Sequence, residues 1–473
     1  MTLKMPWFVR RLISTEYMVK KDMQRGDIPG NKEAYGKTVR IAVPAVIEMV
    51  TIALMDMIDI AMVGRGVGEH AVSAVGITGQ PRMLVFSVFM AINVALTAII
   101  ARKKGEGDMD AAKSCLRHGL LVSFLVGIKM TILAVLIARP LMSFAGAHPE
   151  NISDATIYFQ ITSLFLLFQV ITSAICVAQR VIGNTKVVMK INITAKVVSV
   201  ILNFLLIEGR FGFPRMEVEG VAWARSIATG VACLLAIISI MHKDSPLRLT
   251  LKDNWRFEIS MLKSMGKLTG KGMFEQVFLR FGFFAYAIVI ARLGSDDFAA
   301  HVIAMQLMVL SFTFADGIGA ATTSLVGQNL GKKRPDLSIM YGKIGMRLAI
   351  VCAAVLSTAC ILFRYQFAAI FANYPHIITT TAGLILILAY ILPIQTSQLV
   401  MAGSLRGAGD AGYVAMTMFV SVAILRPLLA FLMAFVFGFG LTGAWLAIIV
   451  DQLVRLIMLF TRFARGRWTT AKV

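Results

Sequence analysis

The sequence is poor in charged residues, which make up only 15% of its 473 positions. A soluble domain of ordinary composition carries about 25%. Negatively charged residues are scarcer than positively charged ones, with 26 aspartates and glutamates against 47 lysines and arginines. Hydrophobic residues make up 58% of the chain, and the mean hydropathy is +0.76. This composition excludes an ordinary soluble domain and predicts a membrane protein.

Cysteine is also scarce, and none of the five cysteines forms a CxxC pair. They lie in or beside apolar segments, at positions 115, 176, 233, 352 and 360. We therefore expect buried small hydrophobes without a disulfide or metal role. HExxH, nucleophile-elbow and phosphate-loop motifs are absent from the sequence, so neither enzymatic activity nor a cofactor is expected.

Long apolar runs are what the sequence has instead. No cleavable signal peptide is expected at the start, because residues 1–37 are polar and basic and the first apolar run begins near Val39. A membrane-crossing helix needs about 20 apolar residues, whereas spanning strands would show about ten with alternating polarity. The alternation is missing. The runs predict an all-α polytopic protein with twelve transmembrane helices, at roughly 39–63, 74–101, 114–138, 153–178, 187–207, 220–241, 268–291, 298–327, 339–363, 377–403, 412–437 and 442–461.

The formal net charge is +21, and the positively charged residues are concentrated in the predicted loops on one side of the membrane. Loops on one side hold 34 lysines and arginines and those on the other hold six. Cytoplasmic loops collect positive charge, so both termini are expected in the cytoplasm and the protein in the plasma (inner) membrane, as a multi-pass protein among lipids. This distribution explains the basic composition better than a nucleic-acid partner does, and none is expected.

Short motifs recur at a constant offset of 226 residues. Gly68 and Gly294, Gly105 and Gly331, Arg180 and Arg406, and Gly183 and Gly409 form four such pairs. The offset predicts two homologous six-helix bundles of the same orientation around a central cavity, as in transporters with parallel repeats. The predicted regions are a cytoplasmic tail at 1–37, an N-terminal bundle at 38–241, a cytoplasmic amphipathic linker at 242–267, a C-terminal bundle at 268–462 and a cytoplasmic tail at 463–473.

Several stretches resemble the multidrug and toxic compound extrusion (MATE) family. They are "VGRGVGEHAVSAVG" after the first span, "FAAHVIAMQLMVLSFTFADGIGAATTSLVGQNLGKKRPD" around the eighth and "LRGAGD" after the tenth. The resemblance implies a secondary antiporter that exports small organic, often amphipathic compounds in exchange for H⁺ or Na⁺ by alternating access. A monomer is expected. The alternative, from a more distant relationship, is a flippase or exporter of a lipid-linked or anionic metabolite.

Acidic residues inside the first span are the leading candidates for the site. At 100° per residue, Glu48 and Asp59 fall on one face of a helix, and Asp56 lies about 60° from Asp59. Such a face should point into the bundle. Two readings stay open: a structural pair with a buried cation, or a coupling-ion site, because an uncompensated buried carboxylate readily takes up a proton.

The resemblance implies that Asp59 is the ion-coupling residue. Ser199 and Asn203 stand where several relatives carry Asn-x-x-x-Asp, so the second carboxylate is missing here. This favours H⁺ over Na⁺, which prefers charged oxygen ligands. No firm metal site is predicted.

Other intramembrane charges are candidates for the substrate cavity. Lys129 and Lys196 lie near the middle of their spans and can pair with Asp59, repel the coupling ion or bind an anionic or zwitterionic substrate. Glu275 can meet a cationic substrate or pair with Arg280. The full set of cavity candidates is Glu48, Asp56, Lys129, Lys196, Glu275 and Arg280.

Overall fold

A computed structural model describes residues 14–67, 69–145, 152–207, 209–243, 245–250, 253, 255–371 and 374–470. Within these ranges, the side chains of 60–61, 64–66, 69–73, 80, 210, 295 and 299 are not described. Gly68 of the repeat, and parts of the predicted tails and linker, lie outside the described residues.

The described residues are almost entirely helical. The α-helices of the first half of the chain are α1 (Asn31–Gly66), α2 (Glu69–Glu106), α3 (Met109–Leu136), α4 (Ala138–Phe144), α5 (Ile152–Leu164), α6 (Leu166–Val181), α7 (Thr185–Leu206) and α8 (Glu217–Met241). Those of the second half are α9 (Ile259–Ala291), α10 (Ser295–Gly331), α11 (Pro335–Leu362), α12 (Arg364–Phe371), α13 (Pro375–Gly407), α14 (Ala411–Met418), α15 (Arg426–Phe431) and α16 (Gly440–Ala464).

Among the described residues, eleven helical stretches are long and apolar enough to cross a membrane. Helices α5 and α6 meet at a 50° bend and together are long and apolar enough to form a twelfth span. Segment Ala411–Val436 is a single span that combines α14, α15 and the π-helical turns Phe419–Leu425 and Leu432–Val436. The prediction of an all-α polytopic protein is confirmed, and the eleven or twelve spans of the described residues agree with the predicted twelve.

Several helices extend beyond the apolar runs that revealed them. Helix α1 begins at Asn31 and α9 at Ile259, eight and nine residues before the predicted spans. Hydropathy detects only the part of a helix that faces lipid, whereas backbone hydrogen bonds continue the helix into polar sequence. The start of α9 also shortens the linker predicted at 242–267.

Where it is described, the part of the predicted linker that precedes α9 consists of turns and irregular backbone. The Asp253 carboxylate accepts a hydrogen bond from the Thr250 N–H at 2.6 Å, and the Trp255 indole donates to the Thr250 carbonyl at 3.2 Å. Side-chain bonds of this kind compete with a helix. The Glu258 N–H donates to the buried His118 ring at 2.8 Å and so attaches the linker to α3.

Two turns 226 residues apart have the same geometry. Gly183 and Gly409 both have φ of 88°, a left-handed conformation that glycine adopts without strain. In each, the glycine N–H bonds the arginine carbonyl three residues earlier, Arg180 or Arg406, at 2.9 Å. The matched geometry agrees with two homologous halves.

The ends of α2 and α10 pack closely through a second pair of repeat glycines. A Cβ atom on Gly105 would collide with the Gln328 carbonyl, and a Cβ on Gly331 would collide with the Arg102 carbonyl. Positions 102 and 328, like 105 and 331, are 226 residues apart. The reciprocal contact is what a two-fold relationship between repeats produces.

The chain divides into two compact units. The N-terminal unit comprises Ile47–Ile100 and Asp108–Thr269. The C-terminal unit comprises Met1–Val46, Ala101–Gly107 and Gly270–Val473. Each unit contains ion pairs within its apolar helices.

Candidate functional site

Four side chains of the N-terminal unit bring α1 and α7 together. The Asn203 amide donates a hydrogen bond to Asp59 Oδ1 at 2.8 Å. The Lys196 ammonium lies 3.5 Å from Asp59 Oδ2 and contacts Asp56 directly. Asp59 retains 16% exposure and Asp56 46%. Both acids are therefore paired through the same lysine, and Asp56 is the more accessible.

Helix α7 supplies this group through its periodicity. Lys196, Ser199 and Asn203 are three and four residues apart, which puts them on one face of the helix. Ser199 is buried but forms no hydrogen bond to Asp59. Asn203 is the polar partner that the structure brings to Asp59, and its buried side-chain oxygen has no hydrogen-bond partner among the described residues.

Two arginines that the sequence analysis did not single out belong to the same neighbourhood. Arg82 on α2 and Arg225 on α8 both interact electrostatically with the buried phenol of Tyr158 on α5 and with the Asp56 carboxylate. Their charge inside predicted spans was the signal that could have found them. We call Asp56, Asp59, Arg82, Tyr158, Lys196, Asn203 and Arg225 the N-terminal charge cluster.

The cluster lies in one layer of the unit. With a rise of 1.5 Å per residue, its members lie roughly 5–20 Å from the helix ends that face away from the lysine- and arginine-rich loops. This layer is inside the span of each helix. Burying a charged side chain at such a depth costs free energy, and such residues are usually functional.

Glu48 does not join the cluster. It is buried and accepts hydrogen bonds from Arg180 at 2.8 Å and from Asn192 at 2.7 Å. Helical periodicity put Glu48 on the face of Asp59, but eleven residues along a helix are about 16 Å. The geometry favours the structural reading of Glu48.

Glu275 forms the corresponding pair in the C-terminal unit. It is buried and contacts Arg406, with N–O distances of 2.5 and 3.0 Å, rather than the predicted alternative partner Arg280. Arg180 and Arg406 occupy equivalent positions in the repeat. Each half therefore contains one buried glutamate that is paired with its repeat arginine. Lys129 is exposed, has no ion pair among the described residues and is not brought to the cluster.

The C-terminal unit also contains a buried network of three charges. Asp451 accepts hydrogen bonds from Arg426 at 2.5 and 2.8 Å and from Arg455 at 2.9 and 3.0 Å. Ser421 bonds the same carboxylate. Arg426 also lies 4.8 Å above the Phe283 ring. All three charged side chains are at most 4% exposed, which indicates a structural role between the π-helical turns and α16.

Two apolar grooves lie apart from the cluster. One of about 370 Å³ runs between α9 and α14, and one of about 290 Å³ lies beneath Trp255 of the linker. Their linings are almost entirely apolar. They lack the paired charges that an ion-coupled site requires, so the cluster is the better candidate.

Comparisons with known proteins agree with these observations. A family model described as MatE matches residues 44–205 and 273–432, one segment in each half. The chain is 26% identical to the uncharacterized transporter YisQ of Bacillus subtilis over 90% of this chain and 93% of that one. It is also 26% identical to the probable multidrug resistance protein NorM of Thermotoga maritima, with 95% and 96% covered.

Solved structures share the fold. A crystal structure of MATE in the bent conformation has a TM-score of 0.84, 20% identity and coverage of 96% of this chain and 100% of that one. An outward-facing multidrug resistance MATE family transporter has a TM-score of 0.85, 20% identity and coverage of 95% and 99%.

Proposed function

Because the chain belongs to the MatE family of multidrug efflux transporters, we propose that it exports small organic, amphipathic compounds in exchange for H⁺ by alternating access, with Na⁺ as the alternative ion. The proposal includes a monomer in the plasma (inner) membrane with both termini cytoplasmic. The observation that supports it is Asp59, which shares the Lys196 ammonium with Asp56 and accepts a hydrogen bond from Asn203.

A carboxylate in this setting suits ion exchange. Ionised Asp59 is balanced by Lys196 and Asn203, whereas a proton on Asp59 weakens its attraction to Lys196. The lysine can then remain with Asp56 alone, so that the ion pairing between α7 and α1 no longer includes Asp59. Each charge that moves inward through a potential of 100 mV supplies about 2.3 kcal/mol, enough for more than tenfold accumulation of substrate.

The position of Lys196 favours H⁺ over Na⁺. A sodium ion at Asp59 would need several oxygen ligands and would approach the ammonium, 3.5 Å from Asp59 Oδ2. A proton adds to the carboxylate itself and needs no coordination shell.

Transport by reconstituted protein tests this proposal. Uptake into proteoliposomes is measured under separately imposed H⁺ and Na⁺ gradients for the wild type, Asp59→Asn and Asp110→Asn. Asp110 is the control because it lies in the same unit with its side chain 94% exposed. We expect Asp59→Asn to lose at least about tenfold of the gradient-driven rate, since it cannot exchange a proton. Wild-type rates in Asp59→Asn would disprove the coupling role.

A further inference from the structure

The apolar groove between α9 and α14, within the C-terminal unit, is closed at one end by close helix packing. Phe278 of α9 packs on Phe419, the first residue of the π-helical turn after α14, with ring centroids 4.8 Å apart. One turn further along, a Cβ atom on Gly282 would collide with the Val422 carbonyl. On the other side of the aromatic pair, a space of about 370 Å³ remains between the two helices.

Lys271 lies at the open end of this groove. Its Cδ and Cε atoms are 3.3 and 3.5 Å from the position that a Cβ atom of Gly412 would take, so the missing side chain makes room for the lysine stem. Lys271 and Gly412 each precede the aromatic pair by seven residues, which is about 10 Å along a helix. Gly412 is the second residue of the span Ala411–Val436, on the side of the lysine- and arginine-rich loops. The groove therefore leads from a cation at the membrane surface into the hydrocarbon.

The ammonium of Lys271 is available to a ligand. It forms no ion pair or hydrogen bond among the described residues. The acids closest to the groove along the two helices bind arginines instead. Glu275 accepts a hydrogen bond from Arg406 at 3.0 Å, and Asp410 accepts one from Arg462 at 2.7 Å.

The walls of the groove are exposed and apolar. Phe274 on α9 is 61% exposed and Met416 on α14 is 55% exposed, although both lie inside spans. Apolar side chains that no protein covers within a span are in contact with lipid chains. The groove thus joins two environments that a phospholipid also joins, an apolar one along its length and a cationic one at its mouth.

We propose that this groove binds an anionic phospholipid from the leaflet on the side of the basic loops. One acyl chain lies between Phe274 and Met416 and reaches the pair Phe278 and Phe419, while the Lys271 ammonium binds the phosphate of the head group. Lysine binds phosphate as a point charge, and basic pockets between transmembrane helices recognise anionic head groups. A choline head group carries its own cation and is disfavoured beside the lysine. This site is independent of the proposed exchange at Asp59.

A tryptophan at the mouth of the groove tests the proposal. Phe274→Trp exchanges one exposed aromatic ring for another, and subtraction of the parent protein removes the signal of the five native tryptophans. The purified protein is placed in nanodiscs that mix phosphatidylglycerol and phosphatidylcholine, one of them with brominated chains that quench a tryptophan on contact. We expect phosphatidylglycerol to bind about fivefold more strongly than phosphatidylcholine at this position.

Variants of the Phe274→Trp protein separate the groove from general attraction of anionic lipid. Lys271→Met keeps the length of the side chain and should lower the ratio to about one, whereas Lys271→Arg should keep it. Ala415→Leu fills the groove but retains the lysine, and should lower the ratio to about twofold or less. Lys186→Met is the matched control, because Lys186 is exposed and stands 226 residues before Gly412, at the second position of its helix. It should keep the fivefold ratio.

Three results would overturn the inference. The first is equal binding of the two lipids beside the tryptophan at position 274. The second is a preference that survives either Lys271→Met or Ala415→Leu, because the lipid would then be attracted by the basic surface and not held in the groove. The third is an absence of quenching by both brominated lipids, which would mean that protein, such as a second copy of the chain, covers the groove.

Discussion

The buried network around Asp451 allows a quantitative prediction. Asp451→Asn removes the only negative charge in contact with Arg426 and Arg455 among the described residues. An asparagine can accept one or two of the five hydrogen bonds but cannot balance two guanidinium groups. Removing one partner of a buried ion pair costs about 3–5 kcal/mol, and the remaining hydrogen bonds suggest a loss near the lower value. Such a loss lowers the melting temperature of a unit of this size by roughly 6–12 °C.

The cysteines provide the assay. Four of the five are buried, so a thiol-reactive fluorogenic dye reports unfolding of the purified protein during heating. Asp110→Asn is the control, since an exposed pair contributes little. A shift below about 2 °C for Asp451→Asn, less than 1 kcal/mol, would refute the reasoning.

A triple variant separates lost charge balance from lost shape. Asp451→Leu, Arg426→Met and Arg455→Met together remove the whole network and leave no orphaned charge. Replacing a buried ion network by apolar residues is often neutral or stabilising. We therefore expect the triple variant to melt at a higher temperature than Asp451→Asn. A lower melting temperature would mean that packing, and not charge, dominates at this site.

Two further predictions concern the N-terminal unit. Glu48→Gln leaves the Arg180 guanidinium without its buried carboxylate and should lower the melting temperature in the same dye assay. Transport per folded molecule under an H⁺ gradient should stay near the wild-type rate. A loss of H⁺-driven transport without a loss of stability would contradict the structural role of Glu48. Lys196→Met removes the ammonium that repels a metal cation from Asp59, so uptake under an imposed Na⁺ gradient should rise above the wild-type value; an unchanged Na⁺ response would show that Lys196 does not determine ion choice.

Sequence reasoning reached the general outline of the site because intramembrane charge is rare. It identified Asp56, Asp59, Lys196 and Asn203, which the structure brings together. It passed over Arg82 and Arg225, although both lie within spans, because no local motif marked them. It grouped Glu48 with Asp59, since periodicity records the angle around a helix and ignores the distance along it.

The sequence by itself determined the twelve spans and the 226-residue repeat. These features are local: a run of apolar residues must form a helix in lipid, and a turn glycine is needed wherever φ is positive. Only the tertiary structure decided which charges meet. Whether Lys196 or Lys129 lies beside Asp59, and whether Glu275 pairs with Arg406 or Arg280, depends on which helices are neighbours and how each is rotated. Contacts between residues more than a hundred positions apart set both, so no local pattern carries that information.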